Sequence, residues 1–134
     1  MIIKTKINNI DVTVGAFDFA FIGGSVGAAE GEAIIYGVQH AIDNKQPFIL
    51  FTASGGMRMF ESLIALSQMT RVTLAINELK KNKLPYIVVL TDPTAGGTTA
   101  SFGMLGDVTF AEPGSVVAFS GKRVIQATVK EELP

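Results

Sequence analysis

The chain has 134 residues, of which 48% are hydrophobic and 17% charged, and its formal net charge is −1. This length fits one domain, the apolar content excludes a disordered chain, and the near-neutral charge gives no basic footprint for nucleic acid. The sequence has no cysteine and a single histidine. That excludes disulfides, a thiolate nucleophile and a cysteine- or multi-histidine zinc site, so we expect no metal in this chain.

The first half of the chain predicts a hairpin, a helix and a buried strand. Residues 2–7 and 10–14 alternate apolar and polar side chains around two asparagines, which tolerate a positive φ at a hairpin turn. The alternation returns over residues 17–22 and ends at a glycine-rich loop. An apolar stripe then predicts a helix over residues 28–44, and a short buried strand follows over 48–51.

A strand followed by a glycine pair and a helical pattern occurs twice. Gly55 and Gly56 precede the longest helical pattern of the chain, over residues 57–81, while Gly96 and Gly97 precede an apolar segment that can start a helix. The first turn of a helix leaves backbone N–H groups unpaired, and the missing Cβ of glycine lets a ligand approach them. The sequence therefore predicts two anion-binding loops directed at one ligand.

The second half of the chain again alternates strands and helices. An apolar run over residues 84–90 predicts a buried strand that ends at Asp92-Pro93, because proline has no N–H to donate and favours an extended predecessor. Short strands are predicted at 107–110 and 115–119, and a last amphipathic helix at 121–130. The β-α-β-α-β order after residue 17 favours an α/β fold with a parallel sheet.

The apolar content also bears on the cellular location and the assembly of the chain. No uninterrupted apolar run approaches the length of a membrane span, and the N-terminal residues lack the apolar core of a signal peptide. We therefore expect a cytoplasmic protein without contact to a membrane. The excess of apolar residues predicts a two-sided core and a subunit interface, and hence an oligomer.

Five motifs stand out along the chain: Phe19–Gly27, Thr52–Met59, Leu84–Gly97, Ala100–Asp107 and Ala111–Gly114. In this order they resemble the β subunits of bacterial acetyl-CoA carboxylase carboxyltransferase, and the similarity runs over nearly the whole chain. The resemblance implies a ClpP/crotonase-like α/β fold of stacked β-β-α units.

The resemblance also implies an activity. It is the transfer of a carboxyl group from carboxybiotin, held on the biotin carboxyl carrier protein, to acetyl-CoA, giving malonyl-CoA for fatty acid biosynthesis in an ATP-dependent complex. It implies a carboxyltransferase α subunit of similar fold as partner, in an α2β2 assembly with the active site between the subunits. Gly96 and Gly97 are implied as oxyanion donors. By analogy with the wider crotonase superfamily, Gly55 and Gly56 form the second side of a thioester oxyanion hole.

We assign contacts with the acyl-CoA to five further residues: Gly23, Gly24, Arg58, Lys122 and Arg123. For Arg58 the alternative is hydrogen bonding to nearby carbonyls or carboxylates. For Lys122 and Arg123, which we assign to the CoA phosphates, the alternative is a solvated helix start.

Other candidate residues are predicted to be structural. Glu61 lies in the first turn of the helix predicted over 57–81, where a carboxylate suits the helix dipole. Asp92 is expected to cap the following loop, and His40 to lie on a polar helix face. The four methionines at 57, 59, 69 and 104 are assigned to packing in the core or an interface.

The family pattern extends beyond this sequence at both ends. Family members usually begin with a four-cysteine zinc ribbon and continue past the position of Pro134, and they commonly have proline where Lys122 stands here. We therefore expect residues 1–134 to form a single, partial carboxyltransferase core domain without zinc.

The predicted chemistry depends on an enolate, whose oxygen is stabilised by preorganised backbone donors. No His–carboxylate or Ser–His pair stands near either glycine pair in the sequence, which fits a reaction in which biotin itself takes the methyl proton. Two other functions stay open. One is another crotonase-fold acyl-CoA enzyme (a hydratase, isomerase or thioesterase), which would need a placed acid–base group. The other is a non-catalytic core that only oligomerises.

Overall fold

The computed structural model describes residues 1–120 and Thr128. Two α-helices and a six-stranded sheet make up the described part of the chain. The strands are β1 Ile2–Ile7, β2 Ile10–Ala16, β3 Phe48–Ser54, β4 Tyr86–Ala95, β5 Val108–Ala111 and β6 Val117–Ala118. The helices are α1 Ala28–Asp43 and α2 Ser62–Lys81, with short 3₁₀ turns at Ile22–Gly24, Met59–Glu61 and Phe102–Met104.

The sheet is parallel except at one edge. Its order is β1-β2-β3-β4-β5, and β1 pairs antiparallel with β2, which confirms the predicted hairpin. Strands β2 to β5 pair in parallel, with α1 between β2 and β3 and α2 between β3 and β4. The edge of β4 is shared, because its residues 87–90 pair with β5 and its last two residues pair with β6.

Both helices pack on the same face of the sheet. The main core joins Phe48 and Tyr86 of the central strands to Val38 of α1 and Ile76 of α2, and each is at most 1% exposed. The rings of Phe48 and Tyr86 stack with their centroids 6.0 Å apart. Val12, Val14 and Ile49 form a smaller cluster on the opposite face, since successive strand residues point to opposite sides.

The helices predicted over 28–44 and 57–81 are confirmed, although the second begins later than expected. The apolar stripe of α1 is buried, but α2 starts at Ser62 rather than at residue 57. Arg58, with ψ of 104°, is extended, and a 3₁₀ turn follows it. Leu63 and Leu66 of the predicted α2 stripe are also exposed, by 76% and 53%.

Two other expectations about local structure are wrong. The strand β4 does not end at Asp92-Pro93, which is a cis peptide bond, but continues to Ala95. The segment after Gly97 forms only the 3₁₀ turn at residues 102–104. There, the hydroxyls of Thr99 and Ser101 donate to the carbonyls of Gly96 and Gly97, and such side-chain bonds compete with regular helix formation.

The remaining predictions concern the short strands, residues 17–22 and the last helix. The short strands predicted at 107–110 and 115–119 are confirmed as β5 and β6, whereas residues 17–22 form turns instead of a strand. The last helix predicted over 121–130, with Lys122 and Arg123, lies outside the described residues except at Thr128. Within the described part, neither helix combines the length and the apolar character needed to cross a membrane.

Candidate functional site

The two predicted glycine pairs meet at one edge of the sheet. Gly55 and Gly56 follow β3, Gly96 and Gly97 follow β4, and the two strands are parallel neighbours. A Cβ placed on Gly56 would stand 3.1 Å from the nitrogen of Gly97 and 3.2 Å from the Cα of Gly96. Because Gly56 has a φ of +114° and Gly96 of +62°, both positions also favour glycine for their backbone conformation. The structure thus brings together all four glycines.

The N–H groups of these four glycines are not equally available. Gly55 donates to the carbonyl of Gly23 at 2.9 Å, Gly56 to the Oγ of Ser54 at 3.1 Å, and Gly96 to the carbonyl of Phe119 at 2.9 Å. Among the described residues, no hydrogen bond uses the N–H of Gly97. Three of the predicted donors therefore serve the fold, whereas the N–H of Gly97 has no acceptor in the part of the chain that the structure describes.

The free donor of Gly97 belongs to a turn rather than to a helix. The N–H of Ala100 donates to the carbonyl of Gly96 at 3.1 Å and closes one helical-type turn. Within residues 1–120, the N–H groups of Thr98 and Thr99 also donate to no other group. Three successive N–H groups without an acceptor are what the first turn of a helix would offer, and here they occur in a turn that no α-helix follows within residues 1–120.

Sequence reasoning missed two buried hydroxyl pairs beneath the glycine contact. The Oγ1 atoms of Thr52 and Thr94 are 2.9 Å apart and join the ends of β3 and β4. The Oγ of Ser54 and the Oγ1 of Thr98 are also 2.9 Å apart and join the two loops. All four residues are fully buried. The signal was present in β3, where Thr52 and Ser54 continue the inward-facing positions of Phe48 and Leu50.

The first glycine-rich loop supports the second. Gly24 is buried, and a Cβ on it would stand 1.9 Å from the carbonyl oxygen of Ala53. Gly23 accepts the Gly55 N–H, and the N–H of Val26 donates to the carbonyl of Gly56 at 2.9 Å. The loop of Gly23 and Gly24, which we predicted to contact the acyl-CoA, therefore lies directly against the Gly55-Gly56 loop.

Arg58 is held inside the fold. Its guanidinium group donates to Glu30 at 2.6 Å, to Glu61 at 2.8 Å, and to the side chain and carbonyl of Ser25 at 3.2 and 2.9 Å. The residue is 6% exposed, and the hydrogen bond to Glu30 contributes most to raising its pKa. The structure thus shows the alternative that we gave for Arg58, bonding to nearby carboxylates and a carbonyl.

The two carboxylates bonded to Arg58 also hold the N-terminus of α1. Glu61 accepts the N–H of Ala28 at 2.7 Å, and Glu30 accepts the N–H of Gly27 at 2.9 Å. The bonds from Ala28 and Arg58 lower the pKa of Glu61. Burial of Glu30 opposes its ionisation, but the bonds from Arg58 and Gly27 outweigh burial and hold its pKa below the ordinary value. Glu61 therefore stabilises the start of α1, not of its own helix as predicted.

Apolar side chains surround the turn after Gly96. Met57 and Met69 pack onto Gly97, since a Cβ there would stand 2.6 Å from the Cγ of Met57 and 3.1 Å from the Sδ of Met69. An open pocket beside the turn is lined by Thr99, Ala100, Met104, Val117, Ala118 and Phe119. Among the described residues, no three histidine or acidic side chains lie close enough to hold a metal ion.

A family model and individual relatives both match this chain, and both are carboxyl transferases. The carboxyl transferase domain family matches residues 6–133. The acetyl-coenzyme A carboxylase carboxyl transferase subunit beta of Pelagibacter ubique (strain HTCC1062) is 70% identical over 134 residues, which make up 100% of this chain and 43% of that protein. The subunit beta of Caulobacter vibrioides (strain NA1000 / CB15N) is 54% identical over 96% of this chain and 42% of that protein. The chain thus spans less than half the length of these relatives.

Solved structures confirm the predicted crotonase-like α/β fold. The transcarboxylase 12S structure with methylmalonyl-coenzyme A and methylmalonic acid bound has a TM-score of 0.88 and 26% identity, covering 98% of this chain and 26% of that one. A Pseudomonas malonate decarboxylase hetero-dimer has a TM-score of 0.83 at 20% identity, covering 96% of this chain and 58% of that one. The second likeness concerns the fold alone.

The contact between the glycine loops predicts that substitutions of Gly55 and Gly56 change the free energy of unfolding by different amounts. Gly56→Ala places a methyl group 3.1 Å from the Gly97 nitrogen at a φ of +114°, so we expect a loss of about 2–4 kcal/mol in the free energy of unfolding. Gly55→Ala is the matched control, because its Cβ meets only the carbonyl of Gly23 at 3.4 Å. It should stay within about 0.5 kcal/mol of wild type. Urea unfolding measures both, and equal losses would contradict this account of the contact.

The carboxylates around Arg58 predict the response to acid. The pKa values of Glu30 and Glu61 lie below 4.5 in the folded chain, so their stabilisation is present above that pH and is lost as the pH falls through the folded values. Glu30→Gln and Glu61→Gln should lower the free energy of unfolding at neutral pH and flatten its fall in acid.

The control for this pH series is Asp11→Asn, which removes a carboxylate from an exposed ion pair with Lys6. Exposed pairs contribute little, so this variant should keep the slope of wild type in urea unfolding from about pH 7 to pH 3. An unchanged slope in both glutamine variants would show that the Arg58 network does not control acid stability.

Proposed function

The chain belongs to the carboxyl transferase domain family, and from that premise we propose that it is the core of a carboxyltransferase β subunit of acetyl-CoA carboxylase. It would transfer the carboxyl group of carboxybiotin to acetyl-CoA and give malonyl-CoA, within the ATP-dependent complex of the cytoplasm. Relatives of that name, at 70% and 54% identity, support the assignment. The observation that supports it most directly is the free N–H of Gly97 beside the Gly56–Gly96 contact.

The free N–H groups of residues 97–99 suit the charge that this reaction develops. Removing the methyl proton of a thioester leaves an enolate, whose oxygen becomes negative in the transition state. A preorganised backbone donor stabilises such an oxygen by roughly 3 kcal/mol in a site that excludes water. We assign this role to Gly97, while Gly55, Gly56 and Gly96 hold the two loops in contact through their own hydrogen bonds.

The residues around the turn also fit a biotin-linked carboxyl group. Its negative charge suits successive free N–H groups, and no side chain at Gly56 or Gly96 obstructs the approach to them. When bound, carboxybiotin supplies the carboxyl group and a ureido nitrogen that takes the methyl proton. The chain's own part is to bind, orient and exclude water, with Met57 and Met69 packed against Gly97.

The Arg58 network disfavours the alternative of a hydratase or isomerase. Those reactions need a carboxylate free to exchange protons with the substrate. Glu30 and Glu61 are bonded to Arg58 and to the N-terminus of α1, and their pKa values are lowered. Both carboxylates therefore stay ionised and hold the fold together. This suits a reaction in which the cofactor supplies the proton acceptor.

An apolar surface next to the glycine loops is where we place the partner subunit. The α2 surface consists of Met59, Phe60, Leu63, Ile64 and Leu66, which are between 53% and 91% exposed. It follows the Gly55-Gly56 loop directly along the chain, and apolar patches of this kind mark protein interfaces. We propose that a carboxyltransferase α subunit covers it with an apolar face of its own and completes the site, while the biotin carboxyl carrier protein delivers the carboxyl group.

Removal of the Gly97 donor tests the proposed activity. Because the Gly97 N–H has no partner in the described chain, Gly97→Pro deletes a donor without breaking a hydrogen bond there. We expect kcat for malonyl-CoA decarboxylation or carboxyl transfer to biotin, measured in the complex with the α subunit, to fall about 100-fold.

Gly97→Ala is the matched variant for that test, because it keeps the N–H and adds a methyl group whose three nearest neighbours are side-chain atoms of Met57 and Met69. It should stay within about tenfold of wild type. Circular dichroism and urea unfolding establish that both variants are folded. A folded Gly97→Pro variant with wild-type turnover would refute the donor role, and an inactive wild-type complex would refute the proposed function.

The partner surface has a separate test. Leu63→Asp puts a charge in the middle of the α2 surface, and we expect it to weaken binding of the α subunit at least about 100-fold. Ile10→Asp is the matched control, since Ile10 is 60% exposed but begins β2, at the opposite end of the parallel strands. Isothermal titration calorimetry measures both affinities, and equal losses would show that the α2 surface is not the docking face.

A further inference from the structure

Ser54 and Thr98 form a buried hydroxyl pair between the two glycine loops. Both side chains are 0% exposed, and their oxygens are 2.9 Å apart. The Oγ of Ser54 also accepts the Gly56 N–H at 3.1 Å. Thr98 is the residue after Gly97, so a chain of two hydrogen bonds links Gly56 to the residue that follows the free donor.

We propose that Ser54 and Thr98 are positioning residues, which fix the N–H of Gly97 where the oxyanion forms. This inference rests on the proposed carboxyl transfer. The Cα of Gly56 faces the nitrogen of Gly97 across the loop contact, and Ser54 holds the N–H of Gly56 while it holds Thr98. The pair therefore sets the distance between the donor and the loop opposite it.

Packing alone does not require hydroxyl groups at these positions. Burying a hydroxyl is costly unless it is hydrogen-bonded, and two apolar side chains of the same shape can be equally stable. The Thr52–Thr94 pair, which joins β3 and β4 themselves, shows the difference. Its hydroxyls bond to each other and to carbonyls at 52, 89 and 91, but to no glycine N–H. Only the Ser54–Thr98 pair reaches the glycine loops.

Two substitutions of Thr98 separate hydrogen bonding from volume. Thr98→Val keeps the shape of the side chain and loses the hydroxyl, while Thr98→Ser keeps the hydroxyl and loses the methyl group. In the complex with the α subunit, we expect Thr98→Val to lower kcat for malonyl-CoA decarboxylation about tenfold with KM within about twofold. Thr98→Ser should retain kcat within about twofold.

Ser54→Ala provides a second measurement, because it removes the partner of Thr98 and leaves the Gly56 N–H unpaired. We expect its kcat to fall at least as far as that of Thr98→Val. Thr52→Val is the control, since it removes a buried hydroxyl from the same strand without touching a glycine loop, and it should leave kcat unchanged. Unfolding midpoints of all variants are measured beside the kinetics.

The inference is overturned if Thr98→Ser loses as much kcat as Thr98→Val, because side-chain volume would then be the cause. It is also overturned if Thr52→Val lowers kcat as much as Ser54→Ala, because any buried hydroxyl would then have the same effect. A wild-type complex without activity overturns the proposed function together with this inference. An active wild type with unaffected Ser54→Ala and Thr98→Val variants overturns the inference alone.

Discussion

The contact between the backbones of Gly56 and Gly96 is the constraint on which the rest of this site depends. It requires two neighbouring parallel strands to end at the same level, which the register of β3 and β4 provides. It also requires positive φ values and no Cβ on either side. Once the loops touch, the hydrogen-bonding needs of their own peptide groups decide which donors stay free. The N–H groups available to a ligand are therefore those that the fold itself does not use.

The charged side chains beside the Gly55-Gly56 loop serve the structure of the chain. Arg58, Glu30 and Glu61 form a closed set of hydrogen bonds that joins the glycine loop to the start of α1. Such a set fixes geometry because the buried guanidinium of Arg58 would be costly without its carboxylate partners. The donors that we propose for the oxyanion, next to this set, are uncharged backbone N–H groups.

Periodicity and glycine chemistry predicted the hairpin, both helices and the two glycine loops, because these depend on residues close together in sequence. Two features could not be predicted, because they involve partners that are distant in sequence. Arg58, which precedes the start of α2, pairs with Glu30, and the N–H of Gly55 donates to the carbonyl of Gly23. Leu63 and Leu66 show a further limit. Apolar spacing identifies a buried face but does not distinguish a core from a subunit interface.

The shared edge of β4 has a consequence for the smallest piece of this protein that can retain the site. Gly96 is held by the carbonyl of Phe119, and Thr94 and Ala95 pair with Val117 and Ala118 of β6. The turn after Gly96 is therefore supported by β3 on one side and by β6 on the other, and β6 comes more than twenty residues later in the chain. A fragment that ends with β5 would keep Gly55, Gly56, Gly96 and Gly97 and yet lose the strand that supports their arrangement.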